Sequence, residues 1–165
     1  ERVPAERNVS PGVAFRLPQQ GRDMKLSKSF TLAELTVTGT GLNNTPPPAE
    51  LECLRDLCEH ILQPLRDATG VPIVVSSGYR SQAVNAAVGG AASSQHRLGQ
   101  AADFNLAGSS PKHTCQRIIA LGLPFDQLIQ EFGRWVHVSY GPRNRRQVLT
   151  ATKQGRKTVY LPGLV

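Results

Sequence analysis

The stretch Ser94-Gln95-His96-Arg97-Leu98-Gly99-Gln100-Ala101-Ala102-Asp103 decides how the rest of the chain is read. It holds a histidine, a glycine three residues on, and an aspartate seven residues after the histidine. Neutral imidazole and carboxylate are both good zinc ligands. Just upstream, Gly89-Gly90-Ala91-Ala92-Ser93 gathers small and polar residues and reads as loop. Downstream, Ala101 to Leu106 reads as a short strand. A loop histidine folded back over a strand aspartate puts both on one ion, with Gly99 giving the turn a positive φ angle.

A His near an Asp is, alone, more often a surface pair or a satisfied core contact. A third ligand type changes the weighing. Trp135-Val136-His137-Val138-Ser139 alternates apolar and polar residues as a half-buried strand does. His96, Asp103 and His137 as a set leave a fourth tetrahedral position for water, the arrangement of a catalytic zinc site.

Further out, the pattern is of helices first and strands later. Thr31-Leu32-Ala33-Glu34 is a capping box opening a short helix. From Pro48 to about Thr69, Leu51, Leu54, Cys58, Ile61 and Leu65 step by three and four along an amphipathic helix. Pro64 predicts a kink or break in it, and Gly70 a C-terminal cap. Val71 to Ser77 reads as a buried strand, Ser81 as the cap of a helix to about Val88, and Ser110-Pro111 as the start of a helix to about Leu121. Asp126 to Glu131 and Trp135 to Tyr140 form a hairpin around Phe132-Gly133-Arg134, and a second hairpin turns at Gln154-Gly155. This order implies an α+β fold with helices packed on a small antiparallel sheet.

A chain of 165 residues suits one domain with a sizeable core, and no apolar run approaches a membrane span. Glu1 to Asp23, rich in Pro, Arg and Gln, reads as a flexible arm or added sequence ahead of a natural start at Met24, with residues 24–165 as the domain. Cys53, Cys58 and Cys115 show no metal or redox spacing and read as free thiols. His60 and His113 fall on helices without ligand partners and read as structural or surface residues. The net charge of +7 is uneven: after Glu131 no acidic residue follows, yet Arg134, Arg143, Arg145, Arg146, Lys153, Arg156 and Lys157 do. Such a surface attracts polyanions. The lack of aromatic interleaving or a named nucleic-acid motif weighs against nucleic acid.

The pattern Ser-x-His-x-x-Gly-x-Ala-x-Asp over Ser94 to Asp103, a Trp-x-His strand at Trp135 to His137, and Ser77-Gly78-Tyr79-Arg80-Ser81 resemble the zinc peptidases of bacterial cell walls. That family includes D-alanyl-D-alanine carboxypeptidases, D-Ala-D-Ala dipeptidases and phage L-alanyl-D-glutamate endolysins. The resemblance spans roughly Met24 to Ala151. It implies a D,D-peptidase/Hedgehog-like zinc site, a Zn2+ cofactor held by His96, Asp103 and His137, and peptidoglycan as the partner of an expected monomer. It also implies that Arg80 steadies an oxyanion or grips a substrate carboxylate, and that Ser94 hydrogen-bonds substrate. Trp135 walls the cleft in this reading.

The catalytic base is where the sequence departs from its relatives. Many carry a carboxylate three residues before the last histidine ligand, and here that residue is Arg134. Glu131, on the other arm of the predicted hairpin, is the first candidate and Asp126 the second. The expected activity is cleavage of a stem-peptide bond next to a D-amino acid, carboxypeptidase-like or endolysin-like. The segment Glu1 to Arg7 lacks the apolar core of a secretory signal, which favours a lytic enzyme kept in the bacterial cytoplasm until lysis or carried in a phage particle. The rivals are a non-catalytic zinc-bearing wall-binding module, fed by the departure at Arg134, and a basic nucleic-acid-binding domain, which leaves the ligand set unexplained.

Overall fold

The structure, a computed structural model, describes residues 19–165. The arm expected over residues 1–23 lies largely outside the described residues; its end forms a helical turn, α1, Gln19–Arg22. Helix α2, Leu32–Leu35, starts on the capping box: Thr31 accepts from the Glu34 N–H, and the Glu34 carboxylate accepts from Thr31. The long amphipathic helix begins with Pro48 in its first turn as α3, Pro48–Leu57. It widens into a π turn over Cys58–Leu62, where the Gln63 N–H reaches back to the Cys58 carbonyl. It then resumes as α4, Gln63–Thr69. The break expected at Pro64 is thus a local widening just before the proline, which has no N–H and needs room for its ring against the preceding turn. Helices α5, Gln82–Ala87, and α6, Pro111–Ala120, start on the caps Ser81 and Ser110.

Six strands form one sheet: β1 Ile73–Ser77, β2 Ala101–Leu106, β3 Gln127–Glu131, β4 Trp135–Ser139, β5 Gln147–Gln154 and β6 Lys157–Pro162. Their order is β1-β2-β4-β3-β5-β6. The α+β class holds, but the sheet is mixed and not purely antiparallel, because β3 and β5 pair in parallel. After β4 the chain crosses the start of β3 and comes back on its far side, so β5 runs alongside β3 in the same direction. Asn144 and Arg146, both in left-handed backbone, turn the chain at this crossing. A second correction concerns β1, read as a buried strand. It is an edge strand, and Val74 is 63% exposed on its outer face. A continuous apolar run cannot by itself tell a central strand from an edge.

One face of the sheet carries the core. Phe104, Leu128, Val136 and Val138 share a buried cluster with Leu54, Leu57, Ile61 and Leu65 of the long helix and with Cys115 and Ile118 of α6. Each fully buried Leu or Phe contributes about 1.5–3 kcal/mol. The period-two alternation of strands therefore turns Asp103, His137, Ile129 and Glu131 to the face opposite that core. Cys58 and Cys115 are buried and all three cysteines are free. His60 stacks on Tyr140 at 4.6 Å, a structural contact, and His113 is exposed on α6. Among the described residues, no helix is long and apolar enough to cross a membrane.

Candidate metal centre and cleft

Strand register brings the ligand set together. Ser77 pairs with Asp103, Asp103 with His137, and His137 with Ile129, so these side chains form one row across β1, β2, β4 and β3. His96 arrives from outside the sheet on a single 3-10 turn, Gln95–Leu98. Ser94 caps that turn, its Oγ accepting from the His96 N–H at 3.3 Å. Gly99 closes it with φ at 68°, the left-handed conformation expected from the sequence. A Cβ there would meet the Glu50 carbonyl at 2.3 Å, so both backbone conformation and space require glycine.

Ligand-type atoms of His96, Asp103 and His137 all lie within 4.8 Å of one another. His96 Nε2 is 3.3 Å and His137 Nδ1 is 2.8 Å from Asp103 Oδ1. Donor atoms around one tetrahedral zinc, each about 2.0–2.1 Å from it, sit about 3.3 Å apart, so this spacing suits the ion. The supporting bonds fit as well. His96 Nδ1 is 2.7 Å from the Gly78 carbonyl, which can only accept; the proton is therefore on Nδ1, and Nε2 presents its lone pair to the cluster. A Cβ at Gly78 would strike the Leu35 carbonyl at 2.3 Å, so glycine is needed to seat this segment. Arg80 Nη2 donates to Asp103 Oδ2 at 3.1 Å, and its Nε donates to Ser77 Oγ at 2.9 Å.

The electrostatics follow from these contacts. Burial alone would raise the Asp103 carboxyl, but hydrogen bonds and charge from His137 and His96 overcome it and hold the group well below the usual carboxylate range. Burial lowers His96, keeping its imidazole neutral and able to ligate, although Asp103 pulls the other way. A neutral His96 imidazole beside an ionised Asp103 is the protonation state that metal binding requires of these two groups.

An open cleft of about 850 Å³ surrounds the cluster, lined by His96, Asp103, His137, Arg80, Ser94, Glu131 and Trp135 among others. The two candidate bases have different surroundings. Glu131 pairs in register with Trp135, one row along from His137, and its side chain enters the cleft. Burial pushes its carboxyl above the usual range; His137 and Arg80 counter this, and Asp103 adds to it. The Trp135 indole N–H is buried and nears Glu131 without completing a hydrogen bond. Asp126 is fully buried at the start of β3. Its Oδ1 accepts from the Arg145 backbone N–H and Nε, and its Oδ2 from Arg145 Nη2 and Gln95. These bonds, Arg145 foremost, hold its carboxyl at about 2. Asp126 is a clamp on the crossing before β5, with no lone pair turned to the cleft.

Arg80 is bonded to Asp103 and Ser77 rather than to loop carbonyls, and its Nη1 has no partner among the described residues. Ser94 lines the cleft while serving as a cap. Trp135 packs edge-on to Phe132 at 5.5 Å and walls one end. Arg134, at the position where relatives carry the carboxylate, is exposed in the hairpin turn. The sequence reading missed Asn44. It is buried, donates to the Thr36 and Tyr79 carbonyls and accepts from the Ser81 N–H, bracing the segment that carries Arg80. An Asn before a Pro run looks like turn punctuation, and nothing local marks it as a brace.

A family model described as Peptidase M15 matches residues 28–139, a span holding Arg80, His96, Asp103, Glu131 and His137 and ending with β4. No curated protein matches the chain.

Proposed function

The chain belongs to the peptidase M15 family, and from that premise we propose that it is a zinc-dependent peptidase cutting a peptidoglycan stem-peptide bond next to a D-amino acid. The observation that carries this reading is Glu131 in the cleft, one sheet row from the His96, Asp103 and His137 cluster, its carboxylate without a completed hydrogen bond among the described residues. These three residues would hold the ion. When bound, zinc supplies Lewis acidity, acidifying water and polarising a carbonyl.

The remaining work belongs to the chain's own groups. Glu131 takes a proton from the attacking water and returns it to the leaving amine. Its raised affinity for protons, caused by burial, suits a group that must both accept and release one. Arg80 fixes Asp103 through Nη2 and turns the rest of its guanidinium toward the cleft, where it can meet negative charge developing on the scissile carbonyl oxygen. Asn44 and Ser77 keep it there. Delivery to the wall at lysis, or in a phage particle, belongs to the same proposal and is suggested by the resemblance to endolysins.

The test is incubation of purified protein with peptidoglycan, with and without a chelator, and mass spectrometry of what is released. Chelator-sensitive release of stem-peptide fragments with a new terminus beside a D-residue is expected. Bound wall with no fragments would replace the enzyme by a binding module.

A further inference from the structure

The match to the peptidase family ends at Ser139, yet the cleft does not. Gln147, Leu149, Lys153, Thr158 and Tyr160, all on the β5–β6 hairpin, line it too. Register shows how. The Glu131 row continues through Ala151 of β5 to Tyr160 of β6. Paired residues share a face, so Tyr160 stands on the cleft face with only small Ala151 between it and Glu131. The phenol is raised by burial and further by the nearby Glu131 and Asp103 charges, which agrees with that placement. It makes no hydrogen bond among the described residues.

The next row pairs Lys153 with Thr158. The Lys153 ammonium donates to Thr158 Oγ1 at 2.8 Å and lies 5.2 Å from the centre of the Phe132 ring. It has no carboxylate within ion-pair distance among the described residues. A hydroxyl and an aromatic face hold the cation in place without neutralising it, and two of its N–H groups stay open. Phe132 itself sits at φ 55°, a costly conformation for a bulky side chain. Its ring earns that position by touching both Trp135 and Lys153. Lys153 and Tyr160 are diagonal neighbours on the sheet, within joint reach of one small group.

We propose that Lys153 and Tyr160 form a carboxylate-binding subsite that selects substrates with an acidic group close to the scissile bond. Lys153 stands one row, about 7 Å, and one strand, about 4.8 Å, away from Glu131, which sets that reach. The inference rests on the peptidase reading of the cleft, but it is read by binding as well as by turnover. The substrate class is an acidic peptide, and the hairpin outside the family match supplies the selectivity.

The probe is N-acetyl-L-alanyl-γ-D-glutamyl-L-lysine with the glutamate α-carboxylate free or converted to the carboxamide. Equilibrium binding to the wild-type chain should favour the free acid by about tenfold, the order of a charge-assisted hydrogen bond. Lys153→Met should bring that ratio close to one, Lys153→Arg should keep most of it, and Tyr160→Phe should reduce it in part. Equal binding of both peptides by the wild type, or a full preference surviving in Lys153→Met, overturns the subsite. Wild-type protein that shows the preference but releases no wall fragments instead overturns the peptidase reading and leaves the subsite standing.

Discussion

A carboxylate stands at each end of β3, Asp126 just before its first residue and Glu131 as its last, and the two have opposite surroundings. Asp126, at the start, is fully buried, yet its acidity is strengthened, because an arginine, a backbone N–H and an amide satisfy both oxygens. Glu131, at the end, has its acidity weakened, because the burial of its carboxyl is not offset by partners of that kind. The hydrogen-bond partners decide which way each carboxylate shifts. A satisfied one locks structure, and an unsatisfied one beside a cleft is free to exchange a proton.

The largest expected effect breaks the comparison at the Glu131 end. Glu131→Gln keeps the shape and removes the base, so turnover should fall by a factor on the order of 10² to 10⁴. Zinc content, measured by metal analysis, should not change, whereas His96→Ala should lose metal and activity together. Undiminished turnover in Glu131→Gln would leave the chain without its proposed base.

At the other end the loss should be in stability. Asp126→Asn removes the charged acceptor of the Arg145 and Gln95 hydrogen bonds while the Arg145 head stays in water, and denaturant unfolding should show a cost of about 2 kcal/mol. Turnover measured well below the unfolding midpoint should stay within a few-fold of wild type. A large kinetic loss in the folded variant would mean that the clamp also acts in the cleft.

Acid titration separates the same two groups by sign. The Asp126 carboxyl lies at about 2 in the fold against an ordinary value of 3.8, so the unfolded chain binds its proton first as pH falls. Its contribution is fully present above the ordinary value and is lost as pH drops through about 2. Asp126→Asn should flatten that limb of the stability curve. Glu131 is shifted up, so its ionised form costs stability as pH rises through its folded value. After chelation, Glu131→Gln should therefore raise the thermal midpoint at neutral pH and leave it unchanged in acid. Matching signs for the two variants would erase the distinction.

The smallest effect concerns the basic run beside the Asp126 end. Arg145 is committed to Asp126, and Arg146 donates to the Leu123 carbonyl and covers the Phe125 ring. Arg143 lines the cleft and is exposed, with no ion pair among the described residues. Arg143→Gln should weaken wall binding a few-fold at low salt, with the difference fading as salt rises and the Debye length shrinks below about 8 Å. Thermal stability should not move. Arg145→Gln should destabilise instead, so the three arginines, alike in sequence, should give unlike variants.

Several features were legible in the chain because they are local. The capping box at Thr31, the positive φ of Gly99 and the turns flanking β3 and β4 each depend on a few neighbouring residues. The grouping of His96, Asp103 and His137 was legible through the motifs around them taken together, since a His near an Asp alone is more often a surface or core contact. The parallel β5, the exposure of β1 and the brace at Asn44 were not, since each depends on which distant segment lies alongside.

The sequence by itself determined which residues can bind a metal, where the helices start and where the chain turns. Side-chain chemistry and short-range backbone preference suffice for those. Only the tertiary structure decided which carboxylate faces the cleft, which arginine is neutralised and that Lys153 and Tyr160 stand beside Glu131. Those outcomes hang on strand register, where a shift of one residue turns every side chain to the other face, and register is set by contacts between segments far apart in the chain.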